Sequence, residues 1–493
     1  MADKTNANIG FEKQLWDAAC VLWGHIPAAE YRKVIIGLIF LRYISAAFDK
    51  QHQKLVDEGD GFENDRDAYE MDNVFFVPEE ARWANIASQA HTPEIGTAID
   101  DAMRAIEAEN KKLKNVLPKN YASPDLDKKV LGDVVDIFTN NIDMSDTMAS
   151  EDLLGRTYEY CIAQFAEKEG VGGGEFYTPS GPAELLCRLA CLGLTDVKDA
   201  ADPACGSGSL LLRLKKYANV HNYYGQELTS TTYNLARMNM ILRGVGYLHF
   251  DIRNGDTLEN DMFGERKFRV QVANPPYSAH WSSAPSFMED ERFNEYGKLA
   301  PKSKADFAFV QHMVWHMDDD GRAVVLLPHG VLFRGDAEGV IRRHLIEKMN
   351  VLDAVIGLPA NLFFGTGIPV CVLVLKRDRG ANAGNILFID ASKEFESGKN
   401  QNILRDKDID KIVDAYEKRE DVEKFAHVAT MDEIAENGFN LNIPRYVDTF
   451  EPEPEIDLNA VAREIRNLQG EIKEIDAKLK PYFDELGLEF PFA

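Results

Sequence analysis

Asn274-Pro275-Pro276-Tyr277 is the stretch of this chain best suited to chemistry. It closes an apolar run, Phe268 to Ala273, that reads as a buried strand. A strand stopped by an Asn and two prolines ends in a rigid, non-helical turn. In an open α/β sheet that carboxyl edge is where ligands bind. The prolines donate no N–H, so their carbonyls are held as acceptors. Asn274 Oδ1 and the Pro275 carbonyl can each accept one N–H of an exocyclic amino group, while the Tyr277 ring stacks on a planar base. Asn-Pro-Pro is also a common plain turn, so its meaning depends on its neighbours.

The first neighbour is Asp202-Pro203-Ala204-Cys205-Gly206-Ser207-Gly208-Ser209, between a short strand (Val197 to Ala201) and the helix start Leu210-Leu211-Leu212. A Gly-rich turn between strand and helix lets a cofactor approach the backbone and exposes helix N-terminal amides. No Gly-Lys-Ser/Thr follows, so it is not a P-loop, and the third glycine of a dinucleotide fingerprint is missing. The next strand, Asn222 to Gln226, runs into Glu227, about where a ribose-binding carboxylate belongs. A third, near Tyr247 to Ile252, leads to Gly255-Asp256-Thr257-Leu258. Asp202, Glu227, Asp256 and Asn274 thus fall at four successive strand ends.

This motif set resembles the amino-group DNA methyltransferases that use S-adenosyl-L-methionine. Gly174-Glu175-Phe176-Tyr177-Thr178-Pro179 is similar to that family's first cofactor motif, and its place before the Gly-rich turn matches the gamma motif order. Asp306-Phe307-Ala308-Phe309, Gly321 to Pro328, Leu332-Phe333-Arg334-Gly335 and Gly365 to Leu373 extend the match. The helical N-terminus and C-terminal helix carry it over nearly the whole chain. The chain is identified as a member of the methylation subunits of type I restriction–modification systems.

The resemblance implies a Rossmann-like α/β fold with a mixed, mostly parallel seven-stranded sheet, an all-helical N-terminal domain and a coiled-coil-like C-terminal helix. It implies methyl transfer from S-adenosylmethionine to N6 of a flipped adenine in double-stranded DNA, protecting host DNA from the cognate nuclease. Asn274, Pro275, Pro276 and Tyr277 would be catalytic. Glu175, Phe176, Tyr177, Thr178, Asp202, Pro203, Cys205, Gly206, Ser207, Gly208, Glu227 and Asp256 would bind cofactor. Of these, Phe176, Thr178 and the 202–208 turn would hold the methionine end, Glu227 the ribose hydroxyls and Asp256 the cofactor adenine amine. N4 of cytosine needs the same acceptors, and Asn-Pro-Pro-Tyr also occurs in enzymes that methylate protein glutamine or an amine of ribosomal RNA. Those alternatives stay open at this stage.

Charge says who reads the DNA. The 493 residues carry a formal net charge of −26, against the basic surface that phosphate contact requires. Lys111, Lys112, Lys114, Lys119, Arg334, Arg342 and Arg343 read as solvated faces. Residues 377–493 look helical and are not basic, so no recognition region follows the last catalytic motif. The resemblance supplies one as a separate specificity subunit, with two copies of this chain per specificity subunit, and leaves open whether a restriction (nuclease/translocase) subunit joins.

The elements that must position these motifs divide the chain into residues 1–165 (helical, DNA and partner contacts), 166–400 (catalytic), 401–450 (helical extension) and 451–493 (spacer and assembly helix). In the first, Val34 to Leu41 marks a buried helix after Pro27, and Asp57 to Asp72 reads as an acidic loop. In the last, Leu458, Val461, Ile465, Leu468, Ile472, Ile475 and Leu479 alternate spacings of three and four, a heptad seam that needs a partner helix. The loop from Ser278 to Pro285 is either a lid near the target base or plain surface. The six cysteines form no metal-ligand pattern, so no metal is expected, and scattered thiols suit a reducing cytoplasm. The most apolar run is only eight residues, too short for a membrane span.

Overall fold

A computed structural model describes residues 28–140, 160–167, 177–363, 366–449 and 457–491, with side chains from residue 33 onward. It divides into two units, residues 1–448 and 449–493.

Residues 28–140 of the first unit are helical. The helix Ala28–Glu58 buries Ile35, Leu38, Ile39 and Phe48 against Met103 of Ile95–Glu109 and Phe138 of Lys128–Asn140. Gly96 is required here, because a Cβ would lie 2.2 Å from the Tyr121 carbonyl oxygen. The acidic stretch before Asp72 is not all loop. Asp65 caps a short helix, Arg66–Met71, by accepting from the Asp67 amide at 3.1 Å. Six residues are too few to show a helical period in sequence.

The catalytic part is a nine-stranded sheet in the order β11-β8-β6-β7-β5-β4-β1-β2-β3. Its strands are β1 (Asp196–Asp202), β2 (Asn219–Glu227), β3 (Phe250–Asn254), β4 (Phe268–Ala273), β5 (Met317–Pro328), β6 (Leu352–Gly357), β7 (Val370–Lys376), β8 (Asn385–Asp390) and β11 (Ala426–Thr430). A separate hairpin pairs β9 (Glu396–Ser397) with β10 (Asn402–Ile403). β1 to β5 run parallel; β7 lies antiparallel between β5 and β6, and β11 antiparallel on β8.

The sheet therefore has nine strands where seven were expected, and it runs past residue 400. The expected helical extension includes β11, whose His427 and Val428 are only partly buried. An edge strand with little apolar alternation gives a weak sequence signal. In β5, Val324 and Leu326 enter one core layer while Ala323, Val325 and Leu327 enter the other. This period-two pattern on two buried faces is what a sheet covered on both sides demands.

The helix Ser230–Leu242 joins the helical part to the sheet. Leu235, Met238 and Leu242 belong to the N-terminal core, and Arg237 Nη2 donates to the Lys112 carbonyl at 2.5 Å. The basic groups expected on solvated faces are largely engaged. Lys112 pairs with Glu70, Lys119 with Glu107 at 2.7 Å, and Arg342 is buried, donating to three backbone carbonyls.

The second unit contains the helix Leu458–Leu486, capped by Asp457 on the amides of Asn459 (2.9 Å) and Ala460 (3.0 Å). All seven heptad residues are exposed.

Within β6, fully buried Asp353 accepts from Tyr416 at 2.6 Å and pairs with Arg379 and Arg419, each at 3.3 Å, and Lys376 at 3.5 Å. Burial opposes ionisation, but the cations, Lys376 foremost, hold its carboxyl below the usual range. Asp353→Ala strands three cations, so chemical denaturation should show a loss on the order of 3–5 kcal/mol.

Candidate active site

The carboxyl edge of β1 to β4 gathers the expected residues. Parallel register sets Asp202, the end of β1, beside Gly225, and levels the ends of β2 and β3 two residues further on, at Glu227 and Asn254. A groove is lined by Tyr177, Thr178, Asp202, Cys205, Gly206, Ser207 and Asn274, together with Ala204, Ser209 and Leu210. Residues from three separated motifs therefore share one wall. Glu175 and Phe176 lie outside the described residues.

Gly206 and Gly208 have φ of +54° and +75°, left-handed conformations that favour glycine. Gly208 caps the helix Ser209–Arg213. Glu227 is tied to this turn: its Oε2 accepts from the Gly206 amide at 3.1 Å and its Oε1 from the Thr229 amide at 2.8 Å. Asp202 Oδ1 accepts from the Ala204 amide at 2.9 Å. Asp256 caps its own turn through the Leu258 amide at 2.9 Å, and Thr257 donates to the Pro203 carbonyl at 2.5 Å. Thr257 thus laces the third strand-end loop to the first. Cys205 packs under Gly225, where a Cβ would meet Sγ at 2.9 Å. Burial, then the charges of Asp202 and Glu227, push its thiol far up, so it packs as a neutral group.

Asn274 sits between two partners. Its Nδ2 donates to Thr178 Oγ1 at 3.0 Å, and its Oδ1 accepts from the Tyr277 hydroxyl at 2.8 Å. A carbonyl oxygen has two lone pairs, so one acceptor position on Oδ1 remains. Pro275 is buried and Pro276 exposed. Tyr277, half-exposed, meets Phe363 edge-to-face, with centroids 6.0 Å apart and rings at 82°.

Sequence reasoning missed several residues. Buried Asn239 donates to the Ser207 carbonyl at 2.9 Å and braces the Gly-rich turn from behind. Its signal was a polar residue among Leu235, Ala236, Met238 and Met240 of one helix. Gln226 holds the loop after β3 through the carbonyls of Gly255 (3.3 Å) and Asn260 (2.8 Å). The loop after Tyr277 has its own core of Trp281, Phe287 and Phe293, and Trp281 Nε1 donates to the Pro301 carbonyl at 3.2 Å. It is therefore more than plain surface.

Asp261, His312 and His316 bring potential metal ligands within 4.8 Å of one another. Arg292 Nη1 lies 3.2 Å from His312 Nδ1, however, and sets a like charge against any cation there. Among the described residues, no helix is long and apolar enough to cross a membrane.

A doubly covered sheet with a Gly-rich turn after β1, an acid after β2, an Asn-Pro-Pro-Tyr turn after β4 and an antiparallel β7 defines a class of enzyme, the S-adenosylmethionine-dependent methyltransferases acting on amino groups. The N-6 DNA Methylase family matches residues 149–455, and the HsdM N-terminal domain matches residues 11–138. The methylase subunit of the type I restriction enzyme MpnII of Mycoplasma pneumoniae is 32% identical, covering 99% of this chain and 98% of that one. The MjaIX methylase subunit of Methanocaldococcus jannaschii is 31% identical over 97% and 91%. The crystal structure of a type I restriction–modification methyltransferase subunit from Streptococcus thermophilus superposes with TM-score 0.80 at 38% identity, covering 90% of this chain and all of that one.

This chain belongs to the N-6 DNA methylase family, as a type I restriction–modification methylase subunit. It transfers a methyl group from S-adenosylmethionine to N6 of adenine in DNA. The family match decides for adenine over N4 of cytosine, protein glutamine and ribosomal RNA.

The groove residues fit such a cofactor: left-handed Gly206 and Gly208 keep the turn free of side chains, and Asp202 lines the groove. Burial pushes the Asp202 carboxyl up to about 8, against the Ala204 amide and with help from the Glu227 charge. The folded state therefore holds a proton that the unfolded chain releases near pH 4. Its stabilising effect is full below pH ~4 and is lost as pH rises toward ~8. Relative to the parent, Asp202→Asn should gain thermal stability between pH 5 and pH 8 without cofactor. A gap that stays constant with pH would exclude a buried, protonated Asp202.

Proposed function

We propose that Asn274 and the Pro275 carbonyl accept the two N–H bonds of the target adenine amine. The observation that carries this reading is Asn274 itself. It lines the Gly-rich groove and is oriented by Thr178 on one side and Tyr277 on the other. Adenine N6 is a poor nucleophile because its lone pair is delocalised into the ring. Two acceptors draw the nitrogen toward tetrahedral geometry and free that lone pair. When bound in the groove, S-adenosylmethionine supplies an electrophilic methyl on a sulfonium, so direct transfer needs no covalent enzyme intermediate. The proton leaves once the nitrogen is cationic, and no strong base is required. Positioning and polar pre-organisation supply the rate.

Phe176, Thr178 and the 202–208 turn hold the methionine end, Glu227 the ribose hydroxyls and Asp256 the cofactor adenine. Tyr277 stacks on the flipped base, which returns roughly 1–3 kcal/mol against the few kcal/mol that flipping costs. Phe363 supports the Tyr277 ring. Pro276 keeps the turn rigid.

The target sequence is read by a specificity subunit. The net charge of −26 supports this, as does the exposed stripe of the Leu458–Leu486 helix. A long helix with an unpaired apolar seam is marginal in water and gains from a partner helix. Residues 451–493 form the assembly arm, residues 1–165 contribute DNA and partner contacts, and two copies of this chain serve each specificity subunit.

The test is labelled methyl transfer to duplex DNA, with and without the specificity subunit. N6-methyladenine should form only with the partner. Asn274→Ala should lower turnover by on the order of 10²–10³-fold or more while cofactor affinity holds. Full activity in that variant would remove Asn274 from the chemistry. Deleting residues from Ala460 onward should abolish co-purification with the specificity subunit, and intact co-purification would rule out the arm.

A further inference from the structure

Asp306 opens the helix Asp306–Trp315 and has no exposed surface. A buried carboxylate needs compensating partners, and three hydrogen bonds reach it, one of them from Ser278 Oγ to Oδ2 at 3.5 Å. The Ser278 amide donates to Oδ1 at 2.8 Å, and Arg334 Nη1 donates to Oδ2 at 3.1 Å. Ser278 is the residue directly after Tyr277. We propose that Asp306 is a positioning residue for methyl transfer: through the Ser278 amide it clamps the turn that carries Asn274 and Tyr277, and Arg334 anchors the clamp. This rests on the role given above to Asn274.

The turn needs an outside hold. Ser278 has φ +51°, a left-handed conformation that costs a residue with a Cβ. Beyond the Tyr277–Asn274 hydrogen bond within the turn, Asp306 adds a hold on the strained residue itself. The hold is local and doubled, since the Ala305 amide donates to the Ala279 carbonyl at 3.0 Å, one residue along on each side. The clamp also sits on a rigid element. A carboxylate at a helix N-terminus is favoured by the helix dipole, and the helix itself is packed in the core through Phe307, Ala308 and Val310.

Arg334 extends the chain of contacts. It also reaches Glu338 Oε1 at 3.3 Å, and its carbonyl accepts from Arg342 Nη1 at 2.9 Å. Arg342 is buried and further fixed by the carbonyls of Val331 (3.0 Å) and Phe439 (2.8 Å). A path of hydrogen bonds therefore leads from the core through Arg342, Arg334 and Asp306 to Ser278, and by the next residue to the Tyr277 hydroxyl on Asn274. Burial, then the charges of Cys371 and Asp306, push the Tyr277 phenol up, and burial, then the Asp306 charge, does the same to the Cys371 thiol. If the clamp opens, Tyr277 moves and Asn274 loses the partner that orients its acceptor. The cofactor turn, braced separately by Asn239 and Glu227, is untouched.

The experiment measures kcat and KM of the complex assembled with the specificity subunit, on target duplex DNA. Rates are expressed per bound cofactor, counted with labelled S-adenosylmethionine. Asp306→Ala should lower kcat by about 10²-fold, the scale of an ångström-level misplacement, with cofactor affinity within about threefold of the parent. Asp306→Asn keeps an oxygen for the Ser278 amide and should recover at least about tenfold of that loss. Arg334→Gln, which leaves Asp306 in place, should show a smaller loss of kcat with the same split; it also stands in if the Asp306 variants fold poorly. Parent-like kcat in both Asp306→Ala and Arg334→Gln overturns the clamp. So does an Asn variant no better than Ala, or equal losses of kcat and cofactor binding. Asn274→Ala is run alongside. If it is active, the reading of Asn274 has failed; if it is inactive while the Asp306 variants turn over normally, only the clamp has failed.

Discussion

The hydrogen bond from Asn274 Nδ2 to Thr178 Oγ1 joins the two chemical halves of this protein. Thr178 precedes the first strand of the sheet, in the motif assigned to cofactor; Asn274 ends the fourth, in the motif assigned to the base. A methyl transfer that relies on positioning needs those halves fixed relative to one another. One bond between short side chains does this only if both backbones are already held. The sheet holds one, and the helix Ser180–Cys191, packed across β4 and β5, holds the other.

The acids at the sheet edge have their own physical logic. Asp202 and Asp256 each accept from nearby backbone amides through Oδ1, and Glu227 does so through both carboxylate oxygens. The Gly-rich turn is shaped partly by the acid of the neighbouring strand, since Glu227 accepts from the Gly206 amide. Burial opposes ionisation of Asp202, which couples the groove to pH.

The surface tells a complementary story. A chain with a formal net charge of −26, in which Lys112 and Lys119 are paired with acids and Arg342 is buried on backbone carbonyls, is poorly matched to phosphate by itself. The apolar seam of the Leu458–Leu486 helix is exposed along its length. Both features suit a catalytic subunit that acts within an assembly.

By itself, the sequence determined the elements and the chemistry they carry. Short strand-like runs marked β1, β2 and β4, glycines marked the turn after β1, and the two prolines marked the stop after β4, because these are local preferences of a few adjacent residues. The heptad seam was legible for the same reason. What only the tertiary structure decided are contacts between residues far apart in the chain: Thr178 with Asn274, Asp306 with Ser278, Asn239 behind Ser207, and Arg342 drawn from a supposed solvated face into the core. The edge strand β11 belongs with them, since only its pairing with β8 makes it a strand. Such contacts have no period. They depend on burial, which turns an ordinary polar side chain into one that must find a particular partner.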